Sequence, residues 1–460
     1  MGKLLGRWIE RRPEPQRPYR PFPVAARLVL GLLVSVLVGA GLLMLPAASV
    51  AEPLNFADAL FTATSALTVT GLTVRATATD FTTTGHLIIL VLIQLGGVGY
   101  MFAISLVLLL IGGHFTFQDR LTLMSSLGLN RPGAILHVLK RSFVGIIIIE
   151  AVGALLLYLH WRGSGIVDQE RVLLYAIFHA VSAFCNAGFD LFAGLPDYPL
   201  GIPSDNVTLL LMGSLIFIGG LGIPVLSELL SYRRQRLSLH TWLTLRVVAF
   251  LVVLGWAGLF ISEAWAGGLL ADAPLSAQLT RTWFQSLSAR TAGFPGLADF
   301  HALAAESQLL IMALMFVGSA PASMGGGITT GTFATLMLTF WNHVRGLPGV
   351  QVHGREISED IIRRAGVILT ASLLLVIMAT WLILLTNQVT FNNALFEVIS
   401  AFATCGLSLG ITTELNWVGR LVLIVLMVWG RLGALTVIMA IAQQRPTKKL
   451  VHYPKEPVLI

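Results

Sequence analysis

Charge is scarce in this chain: only 12% of its 460 residues are Asp, Glu, Lys or Arg, while 55% are hydrophobic and the mean hydropathy is +0.81. A soluble globular domain has about twice that charged fraction, so a water-solvated fold is excluded and a bilayer is implied. There are two cysteines, Cys185 and Cys405, too few and too far apart for a disulfide framework or a thiolate metal site. No Gly-x4-Gly-Lys-Ser/Thr run and no Gly-x-Gly-x-x-Gly between a strand and a helix occurs, so the polypeptide has no nucleotide cradle of its own. No His-x3-His spacing offers a metal pair on a helix. Soluble catalysis is left without residues to perform it, and the chain reads as no enzyme.

Long apolar runs are abundant instead. Stretches able to cross a hydrocarbon core of about 30 Å are Val24 to Leu45, Leu87 to Ile111, Phe143 to Leu159, Val207 to Leu230, Trp242 to Trp265, Leu309 to Trp341, Val367 to Leu385 and Val418 to Ala442. The first exceeds the length of a cleavable signal core and reads as a retained span. Alternate connections between these stretches, with the two tails, carry 23 of the 30 basic residues: the leader through Arg27, 120–141, 233–246, 345–364 and the tail from Arg445. By the positive-inside rule both termini are expected in the cytoplasm of a multi-pass cell-membrane (inner-membrane) protein. The net charge of +7 is then a topology signal and implies no nucleic-acid partner. The opposite connections carry Asp58, Asp190, Asp205, Glu263 and other acids, either because they concentrate cations at a mouth or because bases were sorted to the other side.

Between the spans lies a fourfold pattern. Phe61 to Gly71, Phe178 to Gly188, Trp283 to Gly293 and Phe396 to Gly406 each begin with an aromatic ten residues before a glycine, and the glycines are 117, 105 and 113 residues apart. The segments leading in, Phe56 to Leu67, Leu173 to Phe184, Leu279 to Ala289 and Asn393 to Ala403, are too short to cross and must enter and leave by one side. Irregular backbone at membrane depth is tolerated only where it lines a water-filled cavity or is covered by protein, so the four turns are expected to face one another. Stripping a monovalent ion of water costs tens of kcal/mol by a Born estimate, and a ring of carbonyls can replace that water. The expected ion ligands are Thr68, Val69, Thr70, Gly71; Cys185, Asn186, Ala187, Gly188; Thr291, Ala292, Gly293; and Ala403, Thr404, Cys405, Gly406. Half-helices aimed carboxyl-end inward favour a cation.

The phrases Thr-Val-Thr-Gly-Leu72, Asn-Ala-Gly-Phe189, Arg-Thr-Ala-Gly-Phe294 and Thr-Cys-Gly-Leu407 resemble the four filter loops of the Trk/Ktr/HKT superfamily of potassium transporters, and eight spans rather than ten are most similar to its KtrB-type membrane subunits. The resemblance covers nearly the whole chain. It implies an all-α integral membrane fold of four pseudo-fourfold membrane-pore-membrane (M1-P-M2) repeats around a central pore. The boundaries would be a tail 1–23, repeats 24–112, 113–231, 232–345 and 346–442, and a tail 443–460. It further implies K+ as the transported ion, with Na+ as a second candidate, a homodimer in membrane lipid, and a cytoplasmic ring of nucleotide-binding regulatory subunits of the KtrA/TrkA type.

Two interruptions of the apolar spans stand out. Gly318 to Gly331, with Pro321 and the triplet Gly325, Gly326 and Gly327, cannot sustain a helix; the resemblance makes it an intramembrane gating loop, and the alternative is a kink for close helix packing. Arg431 places a base inside the last span, where the resemblance turns it to the pore below the filter; the alternative is snorkelling to the interface. Glu150, in the middle of its span, is either a structural carboxyl or the proton site of an ion-coupled carrier. His179 and Glu397, nine residues before their glycines, with Gln285 one residue out of that register, are expected to anchor the half-helices, and Arg290 to brace the third loop against an outer carboxylate.

Overall fold

The computed structural model describes residues 24–97, 135–195, 198, 201–231, 237–297, 299–347, 349–352 and 354–433. Both tails, the segment 98–134 and the basic stretch 232–236 lie outside the described residues, and the expected domain boundaries near 112, 231 and 442 fall there. The described chain is helical: α1 Val24–Leu43, α2 Phe56–Leu67, α3 Thr83–Gly97, α4 Ile135–Ser164, α5 Val172–Phe184, α6 Asn206–Gly220, α7 Ile223–Ser231, α8 Leu239–Phe260, α9 Leu275–Ser288, α10 Ala305–Phe316, α11 Thr330–Val344, α12 Glu359–Thr386, α13 Phe391–Ala403 and α14 Trp417–Leu432. A hairpin of β1 Val350–Val352 and β2 Arg355–Ile357 links α11 to α12.

Helix starts are marked by side chains that accept an otherwise unpaired backbone N–H: Asn55 for α2, Asp205 for α6, Ser238 for α8, Thr329 for α11, Thr390 for α13 and Asn416 for α14. Among the described residues, three helical stretches are long and apolar enough to cross a membrane: Arg141–Ser164, Leu239–Trp265 and Glu359–Thr386. Two of the eight expected spans are interrupted. Val207 to Leu230 is not one rod: α6 and α7 meet at 100° across Gly220–Gly222, where Gly222 has φ +84. Leu309 to Trp341 is divided into α10 and α11, as its glycines and proline dictate. The ends of two further expected spans lie outside the described residues.

The short helices α2, α5, α9 and α13 have 12, 13, 14 and 13 residues, roughly 18–21 Å at the usual helical rise and so well short of a bilayer core. Each packs against the long helix before it, α1 on α2, α4 on α5, α8 on α9 and α12 on α13. Each also receives the helix that ends the preceding group, in the order α14 on α2, α3 on α5, α6 on α9 and α10 on α13. These contacts form a closed circle. Phe61, Phe178, Phe284 and Phe396 are fully buried where the groups meet, while Leu33, Val34, Leu37, Val253, Leu254, Leu374, Ile377 and Trp381 lie on exposed apolar faces of α1, α8 and α12. An outside this apolar suits lipid rather than water.

Candidate functional site: a ring of four glycine turns

Each short helix ends in the same backbone figure. The residue two before the glycine is left-handed in all four turns, Val69 at φ 52, Asn186 at 55, Thr291 at 74 and Thr404 at 50, and the glycines follow at φ 87, 70, 78 and 95 for Gly71, Gly188, Gly293 and Gly406. In three turns a 2.8 Å bond runs back five residues, from the N–H of Thr70 to Ser65 O, Ala187 to Ser182 O and Cys405 to Ser400 O; the third uses Gly293 N–H to Ser288 O at 3.2 Å. This is the Schellman closure, which satisfies helix-end carbonyls through a left-handed residue. Sequence reasoning assigns positive φ to glycine and misses the position two before it. Val69, Thr291 and Thr404 are β-branched, for which that conformation is an outlier costing about 1–3 kcal/mol, so no propensity argument points to them.

The turns close on one another. A Cβ built on Gly71 would lie 2.5 Å from Ala187 O, and one on Gly188 3.0 Å from Ala292 O. Gly293 faces Cys405 O and Gly406 faces Thr70 O more tightly still. Each glycine thus abuts the carbonyl before the next glycine, and the fourth returns to the first. A side chain at any of the four must displace backbone. Thr68, Val69, Thr70, Cys185, Asn186, Ala187, Thr291, Ala292, Ala403, Thr404 and Cys405 are all buried around this ring, and the carboxyl ends of four helices point at it, which supplies partial negative charge.

Behind the ring, polar side chains hold the return strands. His179 Nε2 accepts the Leu191 N–H at 3.2 Å, Gln285 Oε1 accepts the Gly296 N–H at 2.8 Å, and Glu397 accepts the Ser408 hydroxyl at 2.9 Å and that of Thr412. Gln285 thus does the work of His179 and Glu397 despite its offset, because α9 reaches its glycine one residue sooner: Ser288 stands five before Gly293, whereas Ser65, Ser182 and Ser400 stand six before theirs. Phe284, not Trp283, is accordingly the buried aromatic of the third group. Thr62, the counterpart in the first group, has no partner for its hydroxyl. Glu150 accepts from Gln94 Nε2 at 3.0 Å and from the Cys185 thiol at 3.6 Å, and the Cys405 thiol reaches the Ser288 and Ala289 carbonyls at 3.6 Å. Among the described residues no group of His, Cys, Asp or Glu has metal-site geometry.

The segment between α10 and α11 packs beneath the third and fourth turns. Gly318 faces Gly326 O, Gly325 faces Thr291 and Ser319, and Gly326 faces Thr404 and Gly430 O, each too closely for a Cβ. Gly327 has φ 75 and Ala322 φ 56. The Pro321 carbonyl would lie 2.8 Å from a Cβ on Gly222, and Ala322 O accepts the Ile223 N–H at 3.2 Å. Arg431 donates to the carbonyls of Met324, Gly96 and Gly97, the last at 3.2 Å; its guanidinium points into the protein and does not reach for an interface. Arg290 departs from expectation. It donates to Gly318 O at 3.2 Å and not to an outer carboxylate, because it sits at the carboxyl end of α9, where the inner loop is the adjacent acceptor. Also unread in the sequence were Gly96, Gly219 and Gly430, which press against the carbonyls of Leu67, Phe184 and Phe402 at the ends of their own short helices. Their common place after the turn was the available signal.

Several acids of the connections expected outside are engaged. Asp58 is bound by Arg75 at 2.9 Å and Arg420 at 2.8 Å, tying the first and last groups together. Glu263 accepts the Leu269 and Ala304 N–H groups at 3.0 and 3.2 Å. Burial raises the Asp190 carboxyl above its usual range against two backbone donors, Ala193 and Phe192. At Asp205 burial also pushes upward, but the Thr208 N–H and hydroxyl and His160 outweigh it and hold the carboxyl below its usual range. These four hold structure, which weakens the reading of them as a free cation-gathering field.

The family model TrkH, described as a cation transport protein, matches residues 34–453. The chain is 34% identical to Ktr system potassium uptake protein B of Bacillus subtilis (strain 168), over 93% of this chain and 94% of that protein. It is 32% identical to the protein of the same name from Vibrio alginolyticus, over 94% of each, and 32% identical to the potassium/sodium uptake protein NtpJ of Enterococcus hirae, over 94% of this chain and 96% of the relative. The crystal structure of the potassium transporter TrkH from Vibrio parahaemolyticus superposes with a TM-score of 0.74 over 94% of this chain and 86% of that one; at 19% identity this likeness speaks for the fold. The resemblance read from the four turns is borne out, and the relatives are ion-transport proteins, not enzymes. The chain is a helical membrane protein of the TrkH cation transport family, on its Ktr/Trk side.

Proposed function

We propose that this chain is the potassium-translocating subunit of an uptake system, and that K+ passes down its gradient through the ring of four glycine turns. The observation that carries the reading is the closed circle in which Gly71, Gly188, Gly293 and Gly406 each abut the carbonyl preceding the next glycine. Carbonyls gathered on one axis replace the hydration shell that an alkali ion must leave behind. The residues 68–71, 185–188, 291–293 and 403–406 are the filter, carried by four membrane-pore-membrane units and eight spans. K+ is favoured over Na+ by the names of the Bacillus and Vibrio relatives, with Na+ as second ion by that of the Enterococcus relative.

The loop containing Gly318, Pro321 and Gly325 to Gly327 is the gate, and Arg431 latches it through Met324. Both termini face the cytoplasm of a cell-membrane homodimer, and the basic loops around Arg120, Arg233 and Arg345 with the tail from Arg445 are docking places for a nucleotide-binding regulatory ring. The carrier alternative requires a carboxyl free to exchange protons, whereas Glu150 is occupied by Gln94 and Cys185. Potassium-to-sodium permeability ratios in vesicles test the filter. Gly71→Ser, whose side chain must push Ala187 O, is expected to admit more sodium; unchanged ratios after substitution at all four glycines in turn would remove the reading. Rescue of potassium-limited growth in a transport-deficient host tests the ion.

A further inference from the structure

The third turn and the inner loop form one hydrogen-bonded unit. The Ser319 hydroxyl lies 2.6 Å from the Thr291 hydroxyl and donates to Arg290 O at 3.3 Å, while Arg290 donates to Gly318 O at 3.2 Å. Gly325 closes on the same place, leaving no room for a Cβ between Thr291 and Ser319. Arg290, Thr291 and Ser319 are all buried, so water does not compete for these bonds.

The other turns are held differently. Thr68 bonds within its own turn, to Thr64 O and the Thr70 hydroxyl; Cys185 turns to Glu150; the Thr404 hydroxyl lies against Gly326 without a partner. In the third turn, then, the side chain of a left-handed, β-branched filter residue at φ 74 is held by the loop below. A strained backbone persists only where its surroundings over-determine it, and for Thr291 part of those surroundings is Ser319.

We propose that Ser319, with Arg290, is a positioning residue for ion discrimination: it fixes the carbonyls of Thr291 and Ala292, so the selectivity of this quadrant follows the position of the inner loop. This rests on the reading of the turns as a filter. A gate that moves at Ser319 then changes which ions pass as well as how many.

The test uses the full chain in lipid vesicles, with the potassium-to-sodium permeability ratio as readout. Ser319→Ala removes the hydroxyl without leaving a large cavity, and is expected to shift the ratio about fivefold, the scale of one hydrogen bond. Thr291→Val is expected to shift it by a similar factor, and the double variant no further than either single one, since both remove the same bond. Ser319→Thr keeps a hydroxyl and should stay within about twofold of the parent. A ratio unmoved by Ser319→Ala, or a double variant equal to the product of the singles, overturns the proposal. Gly71→Ser is measured beside them. If it moves the ratio and Ser319→Ala does not, the coupling alone is wrong; if neither moves it and substitutions at Gly188, Gly293 and Gly406 leave it unmoved too, the filter reading fails as well.

Discussion

The ring of turns and the loop beneath it are both irregular backbone at membrane depth, yet they differ in how much of their support comes from other segments. Each turn is closed mainly from within its own group: a helix-end bond to Ser65, Ser182, Ser288 or Ser400, and in three groups a side chain of the same short helix reaching its return strand. The loop has internal bonds of its own, the Val317 to Ile328 bridge, Ser323 N–H to Ala320 O at 3.1 Å and Thr330 N–H to Ser319 O at 3.1 Å, but it is also tied to other segments through Arg290, Arg431, the Ile223 N–H and the Gly220 carbonyl. Locally closed backbone resists change, whereas backbone that also hangs on contacts with other segments is loosened when those contacts are lost. A selective ring wants the first construction and a gate the second.

The comparison breaks most visibly at the ring. Gly293→Ala drives a methyl into Cys405 O and imposes φ 78 on alanine, so potassium flux is expected to fall more than tenfold with the protein still inserted; flux within twofold of the parent would show the ring to be tolerant. Next in size is release of the loop. Deleting Ser323 to Gly327, or Arg431→Ala, removes the Met324 latch and is expected to raise flux several-fold in vesicles lacking any regulatory protein. No rise would leave the glycines as packing devices.

Glu150→Gln sharpens the comparison from the side of the turns. It keeps one acceptor oxygen where Glu150 offers two, Oε2 to Gln94 and Oε1 to Cys185, and removes the exchangeable carboxyl proton, so permeation is expected to stay within about twofold, whereas loss of transport would favour a proton-coupled carrier. The smallest effect concerns Asp205, the cap of α6. Its folded-state pKa is depressed, so its contribution to stability is present above the unfolded value of about 4 and is lost as pH falls through the lower folded value. Thermal unfolding followed below about pH 4 should show a steeper loss for the parent than for Asp205→Asn, and equal slopes would assign the cap no role.

Much of this was legible in the residues because membrane depth leaves few choices. Four short segments ending in glycine cannot cross and cannot expose backbone to lipid, so their meeting follows from Phe61 to Gly71 and its three counterparts. The break at Gly318 to Gly331 followed from Pro321 and the glycine triplet for the same reason. What was hidden depends on tertiary contact. Val69, Thr291 and Thr404 carry no mark of a left-handed backbone, since context overrides their preference. The bend at Gly222 was masked by apolar residues on both sides. Arg290 looked like an outer brace because sequence gives its distance from Gly293 but not which side of the turn it leaves; the carbonyl of Gly318 was nearer than any acid.

The central claim is that the four turns make one ion-coordinating ring. A structure of the full chain in rubidium or thallium, with the ion located by anomalous scattering, tests it directly. The account predicts a peak on the axis bounded by the carbonyls of Thr70, Ala187, Ala292 and Cys405; an ordered ion bound elsewhere in the membrane region, with that axis empty, would contradict it.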